Sequence, residues 1–293
     1  MKKDAALVLS GGGARGIAHI GVIEELIENG YNISSIAGTS MGALVGGMYA
    51  LGKLDEFKKW ICELDKIQVF RLVDFTLSNK GLIKGEKVLK RIREFIPDKN
   101  IEDLDIPFAA VAADILHHDE IVFTKGSIYE AIRASISIPT VFTPIKSENR
   151  LLVDGGVMNN IPVNRVSRKE GDKLIVVNVN ANIPKRKLTG TKDEQEEREK
   201  VYLTKLHQFQ EQLTKLFPKQ NNDSLGYFDI LSKTINTMIY TATSHLLEKY
   251  DTDMIIEISR DSCNTFDFYK AEELVETGRL QAREMLRKQA VAE

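Results

Sequence analysis

The stretch ISSIAGTSMGALVGGMYAL, residues 33–51, contains the pattern on which the fold prediction depends. Its first five residues form a short, mostly apolar run typical of a buried strand, and residues 41–51 are rich in Ala, Leu and Met, as in a buried helix. Ser40 lies on the turn between them, within a Gly-x-Ser-x-Gly sequence. A serine in that sequence, between a strand and a helix, is typical of a nucleophile elbow, so the stretch predicts a serine hydrolase.

The residues around Ser40 fit this chemistry. Gly38 and Gly42 allow neighbouring backbone to approach without a Cβ clash and tolerate strained dihedral angles. The helix that follows directs the positive end of its dipole at Ser40, where it favours developing negative charge.

The same region has a second interpretation as a membrane span. Residues 29–52 contain no charged side chain, which is enough length to cross a bilayer, and Gly38, Gly42 and Gly46 have the GxxxG spacing of membrane helix dimers. Six glycines and several polar residues make the segment weakly apolar, however, and a buried strand followed by a buried helix explains the missing charges equally well. We therefore expect no transmembrane anchor.

Length and composition are those of a globular protein. The 293 residues fit one large α/β domain, and the net charge of -2 gives no reason to expect nucleic acid or an anionic membrane as a partner. Cys62 and Cys263 form no CxxC pair, which favours two reduced thiols. The apolar run at residues 5–9 is too short for a signal peptide, so we expect a cytoplasmic location.

Strands and helices are predicted to alternate from the start of the chain. Residues 5–9 predict a strand, residues 11–16 a glycine loop, and residues 17–28 a helix before the strand of residues 33–37. This order predicts an α/β fold with a mostly parallel central sheet, helices on both faces and a helical C-terminal extension. Further strands are predicted at residues 108–113, 121–123, 151–153, 174–179 and 254–258.

The last third of the chain changes in composition. Residues 183–200 are highly charged and predict an exposed loop, and apolar residues at helical spacing follow in 202–216 and 228–242. We predict a hydrolase core at residues 1–180, a charged linker with an amphipathic helix at 181–222 that could act as a lid, and C-terminal helices and a last strand at 223–293 that complete the same domain.

The glycine loop GGGARG, residues 11–16, has two interpretations. It fits the dinucleotide fingerprint GxGxxG, but that site needs an acidic residue at the end of the second strand, where this chain has Gly38-Thr39-Ser40. Consecutive glycines also let backbone N–H groups converge on one point. Acyl transfer needs such donors, since each one aimed at the developing oxyanion contributes roughly 3 kcal/mol. We therefore expect an oxyanion hole rather than a nucleotide site.

A serine nucleophile also needs a base. None of the five histidines is predicted at a strand exit, where parallel sheets collect their sites. Asp154 follows the strand of residues 151–153 and precedes two glycines, and burial can raise the pKa of a carboxylate toward the working range. Spacing alone leaves two interpretations of Asp154 open, a general base or part of a tight turn.

Three motifs in order resemble those of patatin-like phospholipases, most closely the bacterial neuropathy target esterase-like branch. They are GGGARG at 11–16, GTSMG at 38–42 and DGG at 154–156, and the run AIRASISIP at 131–139 is also similar to that family. The resemblance covers residues 5–180. Ser10 departs from it, because many plant members carry an aspartate there.

The resemblance implies a role for each matching residue. Ser40 would be the nucleophile and Asp154 its partner base, in a Ser-Asp dyad without histidine. The residues of the implied oxyanion hole are Gly11, Gly12, Gly13 and Arg15, and those implied to support the motifs are Gly16, Gly38, Gly42, Gly155 and Gly156.

The function expected on this basis is hydrolysis of phospholipid, lysophospholipid or related esters, with no cofactor or metal. A solvated turn is the preferred interpretation of residues 117–120, whose two histidines and two acids could otherwise form a metal cluster. Expected partners are the lipid or ester substrate and a transient contact with a membrane surface. Two alternatives are an α/β-hydrolase triad that uses His207 or His245, and a catalytically silent lipid-binding module.

Overall fold

The computed structural model describes residues 3–72, 86–97, 99–139, 142–147, 149–186 and 227–292. The chain divides into two compact units, one formed by residues 1–186 and 238–293 and the other by residues 187–237. Of the second unit, only residues 227–237 are described, and they are helical. The predicted amphipathic helix at 202–216, and most of the linker proposed as a lid, lie outside the described residues.

The described part of the chain contains eight strands. They are β1 (Lys3–Leu9), β2 (Tyr31–Thr39), β3 (Phe108–Asp114), β4 (Asp119–Phe123), β5 (Ile145–Ser147), β6 (Arg150–Asp154), β7 (Lys173–Ala181) and β8 (Met254–Ser259). The predicted polar turn at 117–120 is therefore wrong in its second half. Asp119 and Glu120 pair with β3 as the first residues of β4, because the reversal is completed by residue 118.

Eight α-helices are described. They are α1 (Ala18–Glu28), α2 (Met41–Ala50), α3 (Leu54–Glu63), α4 (Lys66–Leu72), α5 (Glu86–Phe95), α6 (Ile128–Ser135), α7 (Tyr227–Leu247) and α8 (Ala271–Ala292). Short 3₁₀ turns occupy Gly13–Ile17, at the glycine loop, and Gly155–Val157, directly after β6. The predicted closing helix begins at residue 271, after a further 3₁₀ turn at Phe268–Lys270.

All eight strands join one sheet, in the order β5-β6-β3-β2-β1-β7-β8, with β4 paired to β3. The pairs from β3 through β2, β1 and β7 to β8 are parallel, whereas β4, β5 and β6 are antiparallel to their partners. The predicted α/β class with a mostly parallel sheet and a helical C-terminal region is confirmed. The expectation that Asp154 ends a parallel strand is wrong, because β6 runs antiparallel to β3.

The register of β3 explains why β6 ends where it does. One edge of β3 pairs with β4, and the other edge is shared by β2 and β6. Thr39, the last residue of β2, pairs with Val111, and Asp154, the last residue of β6, pairs with Ala112. Since Val111 and Ala112 are consecutive, the carboxyl ends of β2 and β6 meet head to head beside β3. Residues 114 positions apart in the sequence, Ser40 and Asp154, are thereby neighbours.

The sheet is buried on both faces. Along β1, Leu7 and Leu9 belong to the main core with α1, α2 and α8, while Ala6 and Val8 belong to a smaller core that includes Ile161. This alternation follows from the two-residue period of a strand. The continuous apolar runs in the central strands are therefore buried on two sides, as in other parallel sheets.

Candidate active site

Ser40 occupies a strained turn between β2 and α2. Its φ of 55° lies in the left-handed region, and among the described non-glycine residues only Ser40 and His118 have a positive φ. The side chain is 4% exposed. Backbone strain of this kind persists only where surrounding contacts hold it, and it is typical of sites where a side chain must be presented in one direction.

Two hydroxyl groups hold this turn in place. The backbone amide of Ser40 donates to Oγ of Ser135 at 2.8 Å, and the same Ser135 hydroxyl donates to the carbonyl oxygen of Val111 at 2.6 Å. Oγ1 of Thr39 donates to the carbonyl oxygen of Asn159 at 2.8 Å. The elbow is thus tied to α6, to β3 and to the segment after β6, three parts of the chain that are distant in sequence.

Asp154 is buried beside Ser40, and the side chain is 6% exposed. One carboxylate oxygen, Oδ1, accepts a hydrogen bond from the Gly156 amide at 2.8 Å. The Ser40 hydroxyl faces the carboxylate, but Oδ2 has no hydrogen bond of normal geometry from Ser40 or any other described residue. Burial raises the pKa of Asp154 to about 6, against the lowering effects of Ser40 and Gly156. The structure therefore brings together the serine and the acid that the sequence singled out.

The glycine loop lies against the elbow. A Cβ atom added to Gly11 would lie 3.2 Å from Cβ of Ser40. The Gly11 amide already donates to the carbonyl oxygen of Asn160 at 3.0 Å. The amides of Gly12 and Gly13 donate no hydrogen bond to any described residue, and Gly13 lines the same cleft as Ser40. Of the predicted oxyanion-hole amides, those of Gly12 and Gly13 are thus the ones without a partner.

The Arg15 side chain contacts the glycine loop indirectly, through Asn180. Its guanidinium donates to Oδ1 of Asn180 at 2.8 Å and to the carbonyl oxygen of Cys263 at 3.3 Å. The side-chain amide of Asn180 in turn donates through Nδ2 to the carbonyl oxygen of Gly11 at 2.6 Å. Burial lowers the pKa of Arg15 below its usual value. The side chain of Arg15 is therefore directed to the β7 end, and its hydrogen bond to Asn180 links it to Gly11.

Glycines in the three motifs lie where a side chain would collide with backbone or core. A Cβ on Gly42 would lie 2.2 Å from the carbonyl oxygen of Leu9, and one on Gly155 would lie 2.3 Å from that of Val111. The remaining motif positions are crowded in the same way: Gly16 against Met41, Gly38 against Gly42, and Gly156 against Asp154 and Asn160. These glycines let the loop, the elbow and the β6 turn meet at one point.

A largely apolar cleft leads from Ser40. It encloses about 780 Å³, part of which is open to solvent, and besides Ser40 and Gly13 its lining is formed by apolar side chains. Aromatic members of the lining include Phe57, Trp60 and Phe142. Trp60 is half-buried, and its ring centroid lies 5.3 Å from that of Phe95 in a tilted arrangement. A lining of this kind suits an apolar ligand.

No described histidine forms a hydrogen bond with Ser40 or Asp154. His19 is fully buried, donates through Nε2 to the carbonyl oxygen of Ser10 at 2.8 Å, and has a pKa lowered by burial to about 4. His245, one of the two histidines of the alternative triad, is exposed, and its Nδ1 lies 3.7 Å from the carboxylate of Glu248. His207 lies outside the described residues.

Residues 117–120 form part of a hairpin. Nδ1 of His117 lies 2.7 Å from the buried carboxylate of Asp114, and Glu120 pairs with Arg165 at 2.7 Å. Within the described ranges, no three His, Cys, Asp or Glu side chains are grouped so that they could hold a metal ion.

The segment considered as a membrane span forms a strand and a helix instead, namely β2 and α2. Among the residues the structure describes, no helix combines the length and the apolar character needed to cross a bilayer. Cys62 and Cys263 are both free thiols.

Sequence reasoning missed three residues at the site: Ser135, Asn160 and Asn180. Ser135 lies within the run at 131–139, and Asn160 follows the motif at 154–156. No local pattern indicates, however, that a hydroxyl 95 residues away accepts a hydrogen bond from the Ser40 amide. The position of Asn180 at the end of β7 is the only signal that would have pointed to it.

The α/β sheet presents a strained serine beside a buried acid, a geometry that suits acyl transfer. A sequence model of patatin-like phospholipases matches residues 7–166, more than half of the chain. An uncharacterized NTE family protein of Mycobacterium bovis is 32% identical, over 96% of this chain and 91% of its own length. The chain therefore belongs to the patatin-like phospholipase family, and this membership points to a lipid ester hydrolase.

Two further matches cover less of the other protein or are weaker. Patatin-like phospholipase domain-containing protein 7 of Rattus norvegicus is 33% identical over 58% of this chain, which corresponds to 13% of the rat protein. The crystal structure of VipD from Legionella pneumophila has a TM-score of 0.48 and 17% identity, and the match covers 98% of this chain and 67% of that one. A likeness this weak does not bear on function.

Proposed function

We propose that this protein hydrolyses lipid esters through an acyl-enzyme on Ser40, with Asp154 as the general base. The observation that carries the proposal is the pairing of a strained, buried serine with a buried carboxylate whose Oδ2 has no hydrogen bond of normal geometry among the described residues. A base needs a free lone pair directed at the proton it takes, and a pKa near the working pH. The raised pKa of Asp154, about 6, meets the second requirement.

In the first half of the reaction, Oγ of Ser40 attacks the ester carbonyl and its proton passes to Asp154. The electron pair of the carbonyl bond moves to the oxygen, which becomes an oxyanion. We assign the amides of Gly12 and Gly13 as its donors, since they lack partners among the described residues. Collapse of the intermediate expels the alcohol, which takes the proton from Asp154, and leaves the acyl group on Ser40.

The second half repeats these steps with water in place of the alcohol. Water attacks the acyl carbonyl while Asp154 takes its proton, and collapse breaks the bond to Oγ of Ser40. The products are a free carboxylic acid and the regenerated serine hydroxyl. A Ser-Asp dyad is therefore sufficient, and no histidine is assigned a part.

The substrate class follows from the cleft. Apolar side chains form almost all of its lining beside Ser40, so it suits the acyl chain of a lipid ester, as in phospholipase, lysophospholipase or carboxylesterase substrates. Each methylene group buried there contributes about 0.8 kcal/mol. We therefore expect kcat/KM to rise with acyl length until the cleft is filled. We also propose a role in lipid degradation in the cytoplasm, with transient contact at a membrane surface.

The test is ester hydrolysis and fluorophosphonate labelling of the purified protein and its Ser40→Ala variant. We expect both signals to fall at least about 10⁴-fold in the variant. Ser259→Ala is the matched control, since Ser259 is a buried serine at the end of β8 that donates to the Ile183 carbonyl. Its activity should match that of the unaltered protein. Persistent hydrolysis or labelling in Ser40→Ala would remove Ser40 from the mechanism.

A pH profile provides a second measurement. Protonated Asp154 cannot take a proton, so kcat/KM should fall about tenfold per pH unit below about pH 6 and level off above it. A profile that is flat between pH 4.5 and 8 would contradict the assignment of Asp154 as the base.

A further inference from the structure

Asn160 is a buried side chain beside the site that takes no part in the steps described above. Asn160 is 8% exposed, and its Nδ2 has no hydrogen-bond partner among the described residues. Buried donors without partners are rare in folded proteins, because such a group gives up its bonds to water and gains nothing in return. The second unpaired atom of interest is Oδ2 of Asp154, an acceptor.

The Asn160 amide lies between the glycines of two motifs. A Cβ on Gly11 would lie 2.5 Å from Oδ1 of Asn160 and 3.2 Å from Cβ of Ser40. A Cβ on Gly156 would lie 3.1 Å from the same Oδ1 and 3.0 Å from Oδ1 of Asp154. The Asn160 side-chain oxygen is therefore close to both members of the dyad. A half-turn about the last torsion of Asn160 exchanges Oδ1 and Nδ2, and in that orientation the donor Nδ2 lies on the side of the dyad.

We propose that Asn160 binds and orients the water that hydrolyses the acyl-enzyme. This inference rests on the proposed function and adds a catalytic residue to its second half. Attack by water needs an acceptor for the proton and a donor that fixes the oxygen lone pairs. Asp154 supplies the acceptor through Oδ2, and Asn160 supplies the donor through Nδ2.

Asn160 acts only in the hydrolysis of the acyl-enzyme, because the Ser40 hydroxyl faces Asp154 until Oγ carries the acyl group. In the free protein, the Ser40 hydroxyl faces the carboxylate of Asp154. Once Oγ carries the acyl group, it has no hydrogen to donate, and Oδ2 is free to accept a hydrogen bond from water. Water then forms a bond to the acyl carbon, its proton passes to Asp154, and the carbonyl electron pair moves to the oxyanion. Collapse breaks the Oγ–carbon bond, and the proton returns from Asp154 to Oγ.

The structural role of Asn160 is separable from this one. Its main-chain carbonyl accepts the hydrogen bond from the Gly11 amide, and this contact is kept whatever side chain is present. The neighbouring Asn159 provides a matched control, because its Nδ2 is already engaged as a donor to Glu120 at 2.8 Å and to Asn164 at 2.9 Å.

The experiment compares the unaltered protein with Asn160→Ala, Asn160→Leu and Asn159→Ala. Leu retains the branched shape of Asn without its donor, so it serves if the smaller side chain prevents folding. Three rates are measured: fluorophosphonate labelling of Ser40, the initial burst of p-nitrophenol from a p-nitrophenyl ester, and steady-state turnover. Labelling and burst report attack by Ser40, whereas turnover also requires attack by water.

We expect the Asn160 variants to keep labelling and burst rates within about threefold and to lose about 10- to 100-fold in turnover, in keeping with the loss of one positioned donor. The acyl group should accumulate on Ser40, visible in the mass of the intact protein. Asn159→Ala should change none of the three rates by more than threefold.

Two results would overturn the inference. Labelling, burst and turnover falling by the same factor would show that Asn160 shapes the site rather than binding water. Unchanged turnover would show that it has no part in hydrolysis. Failure of the proposed function itself has a different signature, since the unaltered protein would then show no turnover or labelling that depends on Ser40.

Discussion

In two regions of this protein, glycines allow close backbone contacts around a buried carboxylate. The two carboxylates differ in whether a positive charge pairs with them. At the site, Gly42 and Gly155 bring strand ends together around Asp154, whose Oδ2 has no hydrogen bond of normal geometry among the described residues. At the interface of α1 and α8, Gly21 and Gly278 bring two helices together, with Cβ positions 1.9 and 2.0 Å from carbonyl oxygens of the opposite helix.

At the interface of α1 and α8, the buried negative charge has a partner of opposite sign. The carboxylate of Glu25, which is 3% exposed, accepts hydrogen bonds from Arg283 at 2.9 and 2.8 Å. Arg279 bonds to Glu24 and to Glu28. A buried carboxylate therefore stabilises the fold where a guanidinium meets it. At the site, the same type of group is left without a cation, and its proton affinity rises.

The largest difference between the regions is expected from Asp154→Asn. The amide cannot take a proton from Ser40, so kcat should fall about 10³-fold.

Burial raises the pKa of Asp154 from 3.8 to about 6. The contribution of Asp154 to stability is therefore complete below about pH 4 and is lost as the pH rises through 6. That loss amounts to about 3 kcal/mol by pH 8, and the variant avoids it.

Urea unfolding at pH 4 and pH 8, together with ester turnover, checks both parts of this prediction. We expect the variant to be more stable than the unaltered protein at pH 8 and about equal to it at pH 4. An activity within tenfold of the unaltered protein, or a stability difference that does not change with pH, would contradict the account of Asp154.

The second prediction uses one substitution in both regions. Gly21→Ala places a methyl group 1.9 Å from the carbonyl oxygen of Val275, so the helices must separate, and we expect a loss of about 3 kcal/mol in the free energy of unfolding. In an exposed helix the same change would stabilise by up to about 1 kcal/mol. Turnover at a temperature where the variant is folded should stay within about threefold.

Gly42→Ala is the counterpart at the site, where the methyl group would lie 2.2 Å from the carbonyl oxygen of Leu9. This variant should lose turnover at temperatures where it is still folded, because the elbow must shift to relieve the contact. Thermal unfolding and turnover are measured for both variants. Equal losses of turnover in Gly21→Ala and Gly42→Ala would contradict the expected difference between the helix interface and the site.

The smallest effect is expected from Arg283→Met. Removal of the guanidinium leaves the Glu25 carboxylate buried without its cation, at a cost of about 2 kcal/mol near neutral pH. Arg283 lowers the pKa of Glu25, so this stabilisation is present above the ordinary pKa of glutamate and is lost as the pH falls through the lowered value. The pH dependence of stability therefore has the opposite sign to that for Asp154, whose contribution is lost as the pH rises.

Urea unfolding of Arg283→Met from pH 3 to 8 measures the effect. The gap between variant and unaltered protein should narrow as the pH falls. Arg186→Met is the control, because Arg186 pairs with the exposed Glu284, and we expect a change below about 0.5 kcal/mol. A gap that widens toward acid pH would contradict the pairing of Glu25 with Arg283.

Local patterns predicted most of the elements that position the site. The apolar runs of β1, β3 and β7 are continuous because both faces of those strands are buried, and the Gly-x-Ser-x-Gly sequence marks the elbow without any knowledge of the fold. The direction of β6 was not predictable in this way. A five-residue strand reads the same whether its neighbour runs parallel or antiparallel to it.

The sequence by itself determined the elements, the three motifs and the residue types able to do acyl transfer, because each depends on residues within about ten positions of one another. Only the tertiary structure decided what these residues face. It brought the ends of β2 and β6 together beside β3 and placed the Ser135 hydroxyl against the Ser40 amide. It also left Oδ2 of Asp154 and Nδ2 of Asn160 with no hydrogen bond of normal geometry from the residues that the structure describes. Burial and hydrogen-bond partners depend on contacts between distant segments, and a pKa or a free lone pair depends on both.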